Sequence, residues 1–387
     1  MKILVHDYVG HPFQVQLSRA LAARDHIVRH LFSASFQSPR GALERRDGDP
    51  AGFEVGGITI GEAISKYSYL KRFRQERRYA ALLSKEIERF DPDVVISSNT
   101  PLDVQAVLIR QCRTRQRRFI YWLQDLYGEA VGRVLRRRIP VFWRVVAARY
   151  RRLEQGLLAS SDAIVMITED FQRAIDWKRT RREVVHVIEN WAPLDELPPR
   201  PKDNPWSRRY GLADRPCVLY SGTLGLKHNP DLLFRLAWEL RAGDSNAVVV
   251  VVSEGAGAEW LKARKAEVKL DNLLILDYQP FADMPDVLAS ADVLTAILEP
   301  DAGVYSVPSK VLTYLCAGRP LVLAVPGENL SAKIVKGADA GTVVDPRDAS
   351  AFANACIELL RDPVERDRLG RNARAYAEKT FDSQSIT

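Results

Sequence analysis

The sequence predicts an α/β protein built from two doubly wound, parallel-sheet domains. Three observations lead there. At 387 residues the chain is too long for one ordinary core. Its short apolar runs are apolar throughout rather than alternating, as parallel strands covered on both faces are. Helical segments separate several of those runs, which is what βαβ units require. Composition agrees: 46% hydrophobic and 27% charged residues can fill two cores and are too apolar for a disordered chain.

In chain order, Ile3-Leu4-Val5 forms the first strand and Gly10-His11-Pro12 the first turn. A helix is expected over 14–24, then strands over 27–31, 93–97, 119–123, 163–167 and 184–188. Residues 190–205 hold Pro193, Pro198, Pro199, Pro201 and Pro205, so they read as a stiff linker. Strands resume at 218–220, 247–252, 273–276, 293–297, 321–325 and 342–344. The expected division is a first domain over 1–198, a second over 199–365, and a helical segment over 366–387 that returns to the first. Two such domains would leave a cleft facing the carboxyl ends of both sheets, where small ligands bind.

Charge is unevenly placed. The net +7 arises wholly in residues 1–200, with 34 Lys+Arg against 24 Asp+Glu; residues 201–387 hold 22 against 25. A polyanion or an anionic membrane surface is therefore a candidate partner of the first half alone. Residues 132–152 carry eight arginines and no acid, interleaved with Phe142, Trp143, Val146, Tyr150, Leu153 and Leu157 at helical spacing. An interfacial helix has this composition, and so does a helix whose apolar stripe faces a core beneath solvated arginines. Residues 71–79 are a second basic stretch, and no nucleic-acid-binding module is recognisable, so a nucleic-acid partner is not expected. Cys112, Cys217, Cys316 and Cys356 lack metal or disulfide-scaffold spacing, which points to a reducing compartment. No apolar run approaches the ~18 residues of a membrane span, and 1–5 is too short for a signal peptide.

Three segments could carry chemistry. The first, Tyr220-Ser221-Gly222-Thr223-Leu224-Gly225-Leu226-Lys227, leaves a strand and enters a helix near Asp231. Its glycines let backbone amides approach an anion and Lys227 adds charge; an ordinary βα turn with a solvated lysine is the alternative. The second, Ser253-Glu254-Gly255-Ala256-Gly257, falls short of a dinucleotide fingerprint, because Trp260 stands where the third glycine would be. Simple turn chemistry explains it, and a dehydrogenase is disfavoured. The third runs from Glu299 through Gly303, Val304 and Tyr305 to Pro308-Ser309-Lys310 and on to Gly318. With a helix over about 307–317, Ser309 and Lys310 stand at its positive end and Glu299 at the far rim, forming a cradle for a sugar-bearing diphosphate. The alternative is a good helix start and a solvated acid.

These three segments, followed by Cys316-Ala317-Gly318-Arg319-Pro320, resemble in their order the retaining GT-B glycosyltransferases. The chain resembles glycosyltransferase family 4 over nearly its whole length, close to the WbuB-like and colanic-acid branch of bacterial surface-polysaccharide enzymes. The resemblance implies two Rossmann-like domains facing across a cleft. It implies a nucleoside-diphosphate sugar donor (UDP in preference to GDP), no cofactor and no required metal. It also implies a lipid-linked or saccharide acceptor and a cytoplasmic location, peripheral on the inner membrane face.

Carried over residue by residue, Lys227 touches the donor diphosphate and Glu299 matches the first glutamate of a paired motif. The second glutamate falls on Thr313, and Pro308-Ser309-Lys310 lengthen the usual spacing. Thr223 stands where many relatives have arginine. Gly10, Gly222, Ser253, Glu254, Gln279, Gly303, Val304, Tyr305, Ser309 and Lys310 complete the donor-binding set. The catalytic candidates are Lys227, Glu299, Asp125, ending the 119–123 strand, and His11 in the first turn, the last two to orient the acceptor; helix capping and a surface turn are the plainer roles of Asp125 and His11. Within the same fold a nucleotide-sugar 2-epimerase is the rival, and outside it a non-catalytic membrane- or nucleic-acid-binding module.

Overall fold

The computed structural model describes residues 1–38, 40–65, 68–138, 143–225, 227–243, 246–382 and 386; the side chains of 69, 133–138, 302, 304 and 305 fall outside that description. Phe142, and the side chains of Val304, Tyr305 and the arginines within 133–138, therefore lie outside the described residues. The chain forms two compact units, residues 1–189 with 383–387, and residues 190–382.

The first unit runs β1 (Lys2–Asp7), α1 (Pro12–Ala22), β2 (Ile27–Ser33), β3 (Phe53–Ile58), α2 (Tyr69–Phe90) and β4 (Val94–Ser98). It continues through α3 (Leu102–Thr114), β5 (Arg118–Leu123), α4 (Tyr127–Arg138), α5 (Trp143–Ser160), β6 (Ala163–Met166) and β7 (Val185–Val187). The sheet order is β3-β2-β1-β4-β5-β6-β7, all parallel, so the order reverses between β1 and β4. Residues 3–7 of β1 are buried, as a central strand between helical layers requires.

Two elements escaped the sequence pattern. β3 is an edge strand with two central glycines, buried only at Phe53 and Ile58. α2 absorbs the basic 71–79 stretch: Gln75, Glu76, Tyr79, Leu83 and Ile87 face inward, and Arg72 pairs with Glu76 at 2.6 Å. The 132–152 stretch divides between α4 and α5. Ala147, Leu157 and Leu158 of α5 are buried, Tyr150 donates to Asp103 (3.0 Å), and Arg149 and Arg151 reach Asp103 and Glu129 at 3.5 and 3.8 Å. Of the apolar stripe, Leu157 is buried and Trp143, Val146, Tyr150 and Leu153 are half-buried, while Arg144, Val145, Arg149, Arg151 and Arg152 are exposed.

The second unit runs α6 (Pro205–Arg209), β8 (Cys217–Ser221), α7 (Asp231–Ala242), β9 (Val248–Val252), α8 (Ala256–Val268), β10 (Leu273–Leu276), α9 (Met284–Ala289) and β11 (Val293–Ile297). Then come α10 (Lys310–Cys316), β12 (Leu321–Ala324), α11 (Leu330–Gly337), β13 (Gly341–Val344), α12 (Ala349–Arg361) and α13 (Pro363–Thr380). Its parallel sheet has the order β10-β9-β8-β11-β12-β13, reversing between β8 and β11. The five consecutive valines of β9 are all buried, and α7 covers them with Leu233, Leu236, Ala237 and Leu240. Fully buried strands of this kind are the clearest signal the sequence offers.

The expected linker proves to be structured. Trp191, Ala192 and Leu197 are buried, so the division falls at Glu189–Asn190 rather than at 198. The helix from Pro363 is likewise part of this unit and not a separate segment from 366. Leu369, Gly370, Ala373 and Ala377 are buried, and a Cβ on Gly370 would lie 2.5 Å from the Gly318 carbonyl oxygen. All four cysteines are buried and free, and among the described residues no helix is long and apolar enough to cross a membrane.

Candidate active site

In the second unit, loops after β8, β9 and β11 converge at the carboxyl edge of the sheet, where its order reverses. Ligands of open α/β sheets bind at such points. Tyr314 of α10 anchors the end of β8: its hydroxyl accepts from the Ser221 amide (2.8 Å) and donates to the Ser221 carbonyl (2.9 Å). Gly222 follows at φ +136°, and a Cβ there would lie 2.8 Å from Cε and 2.9 Å from Nζ of Lys310. Glycine at 222 therefore lets the Lys310 side chain cross the loop.

The Lys310 amine donates to the Tyr220 hydroxyl and lies 3.7 Å from the centre of that ring. Tyr220 in turn donates to the Thr223 carbonyl (2.8 Å). Desolvation holds the Lys310 amine well below the usual lysine pKa. Lys227 ties the first loop to the third: its Nζ donates to Ser306 Oγ (2.9 Å) and its carbonyl accepts from the Glu299 amide (2.8 Å). His228 Nδ1 accepts from the Gly225 amide (3.0 Å); burial, then Lys310 and Lys227, keep this imidazole well below its usual pKa.

The second segment serves the first. Ser253 Oγ accepts from the Leu224 amide (3.1 Å), and a Cβ on Gly257 would lie 2.7 Å from Leu224 Cβ. Glycine at 257 permits this close packing of the two loops. Thr223 Oγ1 shares a 2.8 Å hydrogen bond with the Tyr278 hydroxyl, and Glu254 Oε1 accepts from the Tyr278 amide (3.4 Å). The Gln279 side-chain oxygen accepts from Trp206 Nε1 (3.0 Å).

In the third segment Glu299 precedes a short 3-10 turn, Pro300–Tyr305, broken at Gly303 (φ +40°). The buried Asn329 amide pins this turn by donating to the carbonyls of Gly303 (2.7 Å) and Ser306 (2.8 Å). Among the described residues no hydrogen bond or ion pair engages the half-buried Glu299 carboxylate. The helix expected over 307–317 spans only Lys310–Cys316, with Ser309 before it and Thr313 within it. Pro308 and Ser309 instead form a tighter lead-in turn, whose carbonyls accept from the amides of Val311 and Leu312 (both 3.1 Å). Lys310 acts here through its amine laid across Gly222, not through a long helix dipole.

In the first unit, β1 ends on buried Asp7. Its carboxylate accepts from the amides of Val9 (3.1 Å) and His11 and from Asn99 Nδ2 (3.4 Å), and that Nδ2 also lies 3.2 Å from His11 Nδ1. Although burial opposes it, hydrogen bonding and charge from His11 hold the Asp7 carboxyl below its ordinary pKa. Gly10 at φ +89° leaves no room for a side chain, since a Cβ would lie 2.6 Å from Leu43 Cδ1. Asp125 follows β5 at the same edge; Tyr127 beside it donates to the Asn99 carbonyl (3.3 Å), linking the two turns. Tyr127 and His11 thus both meet Asn99.

Sequence reasoning passed over Tyr220, Tyr314, Ser306 and Asn329, which hold the cations and loops, and Asp7 and Asn99, which hold His11. A polar residue closing the first strand could have revealed Asp7. The tyrosines and Asn329 leave no local signature. Among the described residues no group of three or more His, Cys, Asp or Glu side chains could hold a metal ion.

Residues 11–191 match the glycosyl transferase 4-like domain, and residues 203–376 match the glycosyl transferases group 1 family. The chain is a GT-B glycosyltransferase of the family 4 type. Among its relatives of this family is a GDP-mannose-dependent alpha-(1-6)-phosphatidylinositol monomannoside mannosyltransferase of Mycolicibacterium smegmatis. It is 29% identical over 210 residues, 51% of this chain and 55% of that protein. The alpha-D-kanosaminyltransferase of Streptomyces kanamyceticus is 26% identical over 243 residues, 60% of each chain. The chain spans little more than half the length of these curated relatives. Anabaena HepE, solved with UDP-glucose, shares the fold at a TM-score of 0.72 and 17% identity, over 100% of this chain and 97% of that one.

Proposed function

We propose that this family 4-type chain transfers a sugar from a nucleoside diphosphate donor to a hydroxyl of a lipid-linked or saccharide acceptor. We further propose retention of anomeric configuration, no required metal, and a place in bacterial surface-polysaccharide assembly on the WbuB-like branch. One observation carries the reading: Lys227 and Lys310 are held by two converging loops at the strand-order reversal of the second sheet. In transfer, the bond between the anomeric carbon and the diphosphate oxygen breaks, and a bond to the acceptor oxygen forms. The acceptor proton leaves with the diphosphate. Charge grows on that departing diphosphate, and fixed cations and amides stabilise it without reorganising. Glu299, with its uncommitted carboxylate, would bind sugar hydroxyls; His11 and Asp125 would orient the acceptor.

UDP is the preferred donor, in keeping with the UDP-glucose complex of HepE. GDP-mannose is the second reading, favoured by the names of the mycobacterial and corynebacterial relatives. Transfer or hydrolysis measured over a panel of UDP- and GDP-sugars, with and without EDTA, tests all of this. Product with retained configuration and insensitivity to EDTA are expected; no turnover of any nucleotide sugar would overturn the proposal. The exposed arginines of α5 support docking on the anionic inner face of the cytoplasmic membrane. Salt-dependent sedimentation with anionic liposomes tests that part.

A further inference from the structure

A cavity of about 520 Å³ opens at the other edge of the first sheet, where β5, β6 and β7 begin. Arg113 reaches it from the last turn of α3, Arg117 and Arg118 from the entry into β5, and Arg179, Thr180 and Arg181 from the segment before β7. Asp162 is the acid in its lining, and one oxygen of that carboxylate already accepts from the Phe119 amide (2.7 Å). α3 and α5 end here, and helix C-termini attract cations. That explains Arg113, in the last turn of α3, but not Arg179 and Arg181, which belong to another segment.

Two buried donors point to a ligand. The Arg117 side chain is 9% exposed; its Nη2 pairs with Asp91, while its Nη1 is buried with no hydrogen-bond partner. Thr180 is 4% exposed and its hydroxyl is equally unpartnered. Unsatisfied buried donors are costly, and both residues line this one cavity, so ligand oxygens there would complete the set. Guanidinium forks match phosphate oxygens in pairs, and the cavity has the size of a small-molecule site.

We propose that this cavity binds a compact soluble polyphosphate anion of the pyrophosphate class. It lies in the other unit from Lys227 and Lys310, so it stands apart from the donor-site reading.

Hydrogen–deuterium exchange of the full chain, titrated with inorganic pyrophosphate, tests it. Protection is expected in peptides covering 113–118 and 179–184. The midpoint should rise at least about tenfold in Arg179→Gln/Arg181→Gln, whose side chains are on the surface, and in Arg117→Gln. Raising salt should weaken it. Lys227→Ala should leave it unchanged, which separates this site from the donor site. Protection confined to 221–229 and 299–310, protection unaltered by Arg179→Gln/Arg181→Gln, or protection given only by phosphatidylglycerol vesicles would each overturn the proposal.

Discussion

The two sheets share a strand order, yet the first strand of each ends in opposite chemistry. β1 closes on the Asp7 carboxylate, which already takes amide protons from its own turn. β8 closes on Ser221-Gly222, with no carboxylate in the turn and the Lys310 amine laid across it. An anion meets repulsion at the first turn, and the Lys227 cation, the Lys310 amine and glycine-opened backbone at the second. The donor diphosphate therefore suits the second unit. In the proposed function the first, where Asp7, Asn99 and His11 meet, takes the neutral hydroxyl-bearing acceptor.

The sharpest way to break this contrast is to remove each unit's central charge. Lys227→Ala, and Lys310→Met, which keeps the bulk that packs on Tyr220, should each lower turnover about 10²–10³-fold with unfolding midpoints unchanged. Asp7→Ala should instead cost roughly 3 kcal/mol in urea unfolding, because buried amides lose their acceptor. If Asp7→Ala were as stable as wild type and merely inactive, the first turn would be chemical machinery rather than a structural lock.

Acid should find the first unit through its histidines. Burial pushes His6 down to about 3 and His30 to about 4, both far below 6.5. The folded state keeps them neutral while the unfolded state binds protons below pH 6.5. Their stabilisation is thus present above 6.5 and is lost as pH falls toward those values, by roughly 2 kcal/mol each between pH 7 and 5. Urea titrations across that range, repeated on His6→Gln, should show a shallower loss in the variant. Glu154 works in the opposite sense, because burial pushes it up to about 7 from 4.5. Its stabilisation is full below 4.5 and is lost as pH rises to 7, so Glu154→Gln should gain stability at pH 8 relative to wild type. Smallest of all, Gly222→Ala should cost about 1–2 kcal/mol through its positive φ. It should also displace the Lys310 amine, visible as a raised KM for the donor.

Much of the architecture was legible because parallel strands are continuous apolar runs: Val248–Val252 could hardly be anything else. β3 was not, since Gly56 and Gly57 at a sheet edge interrupt the pattern. The proline-rich 190–205 segment misled because proline reports local stiffness, while burial of Trp191 and Leu197 depends on distant partners. At the site, Lys227, Lys310 and Gly222 stood out by residue type and strand-to-helix position. Their actual arrangement did not, because Tyr220, Tyr314 and Asn329 meet them through packing across the sheet edge. Pro308 looked like a helix start, and it does open a tight turn through Ser309, with the regular helix following at Lys310.

Calorimetric titration of UDP and GDP into wild type, Lys227→Ala and Lys310→Met probes the heart of this account directly. One of the two nucleotides should bind the wild type, and each variant should bind it at least about tenfold more weakly, the loss of a charge-assisted phosphate contact. Wild-type affinity in both variants would place the diphosphate somewhere other than the loops around Gly222 and contradict the account.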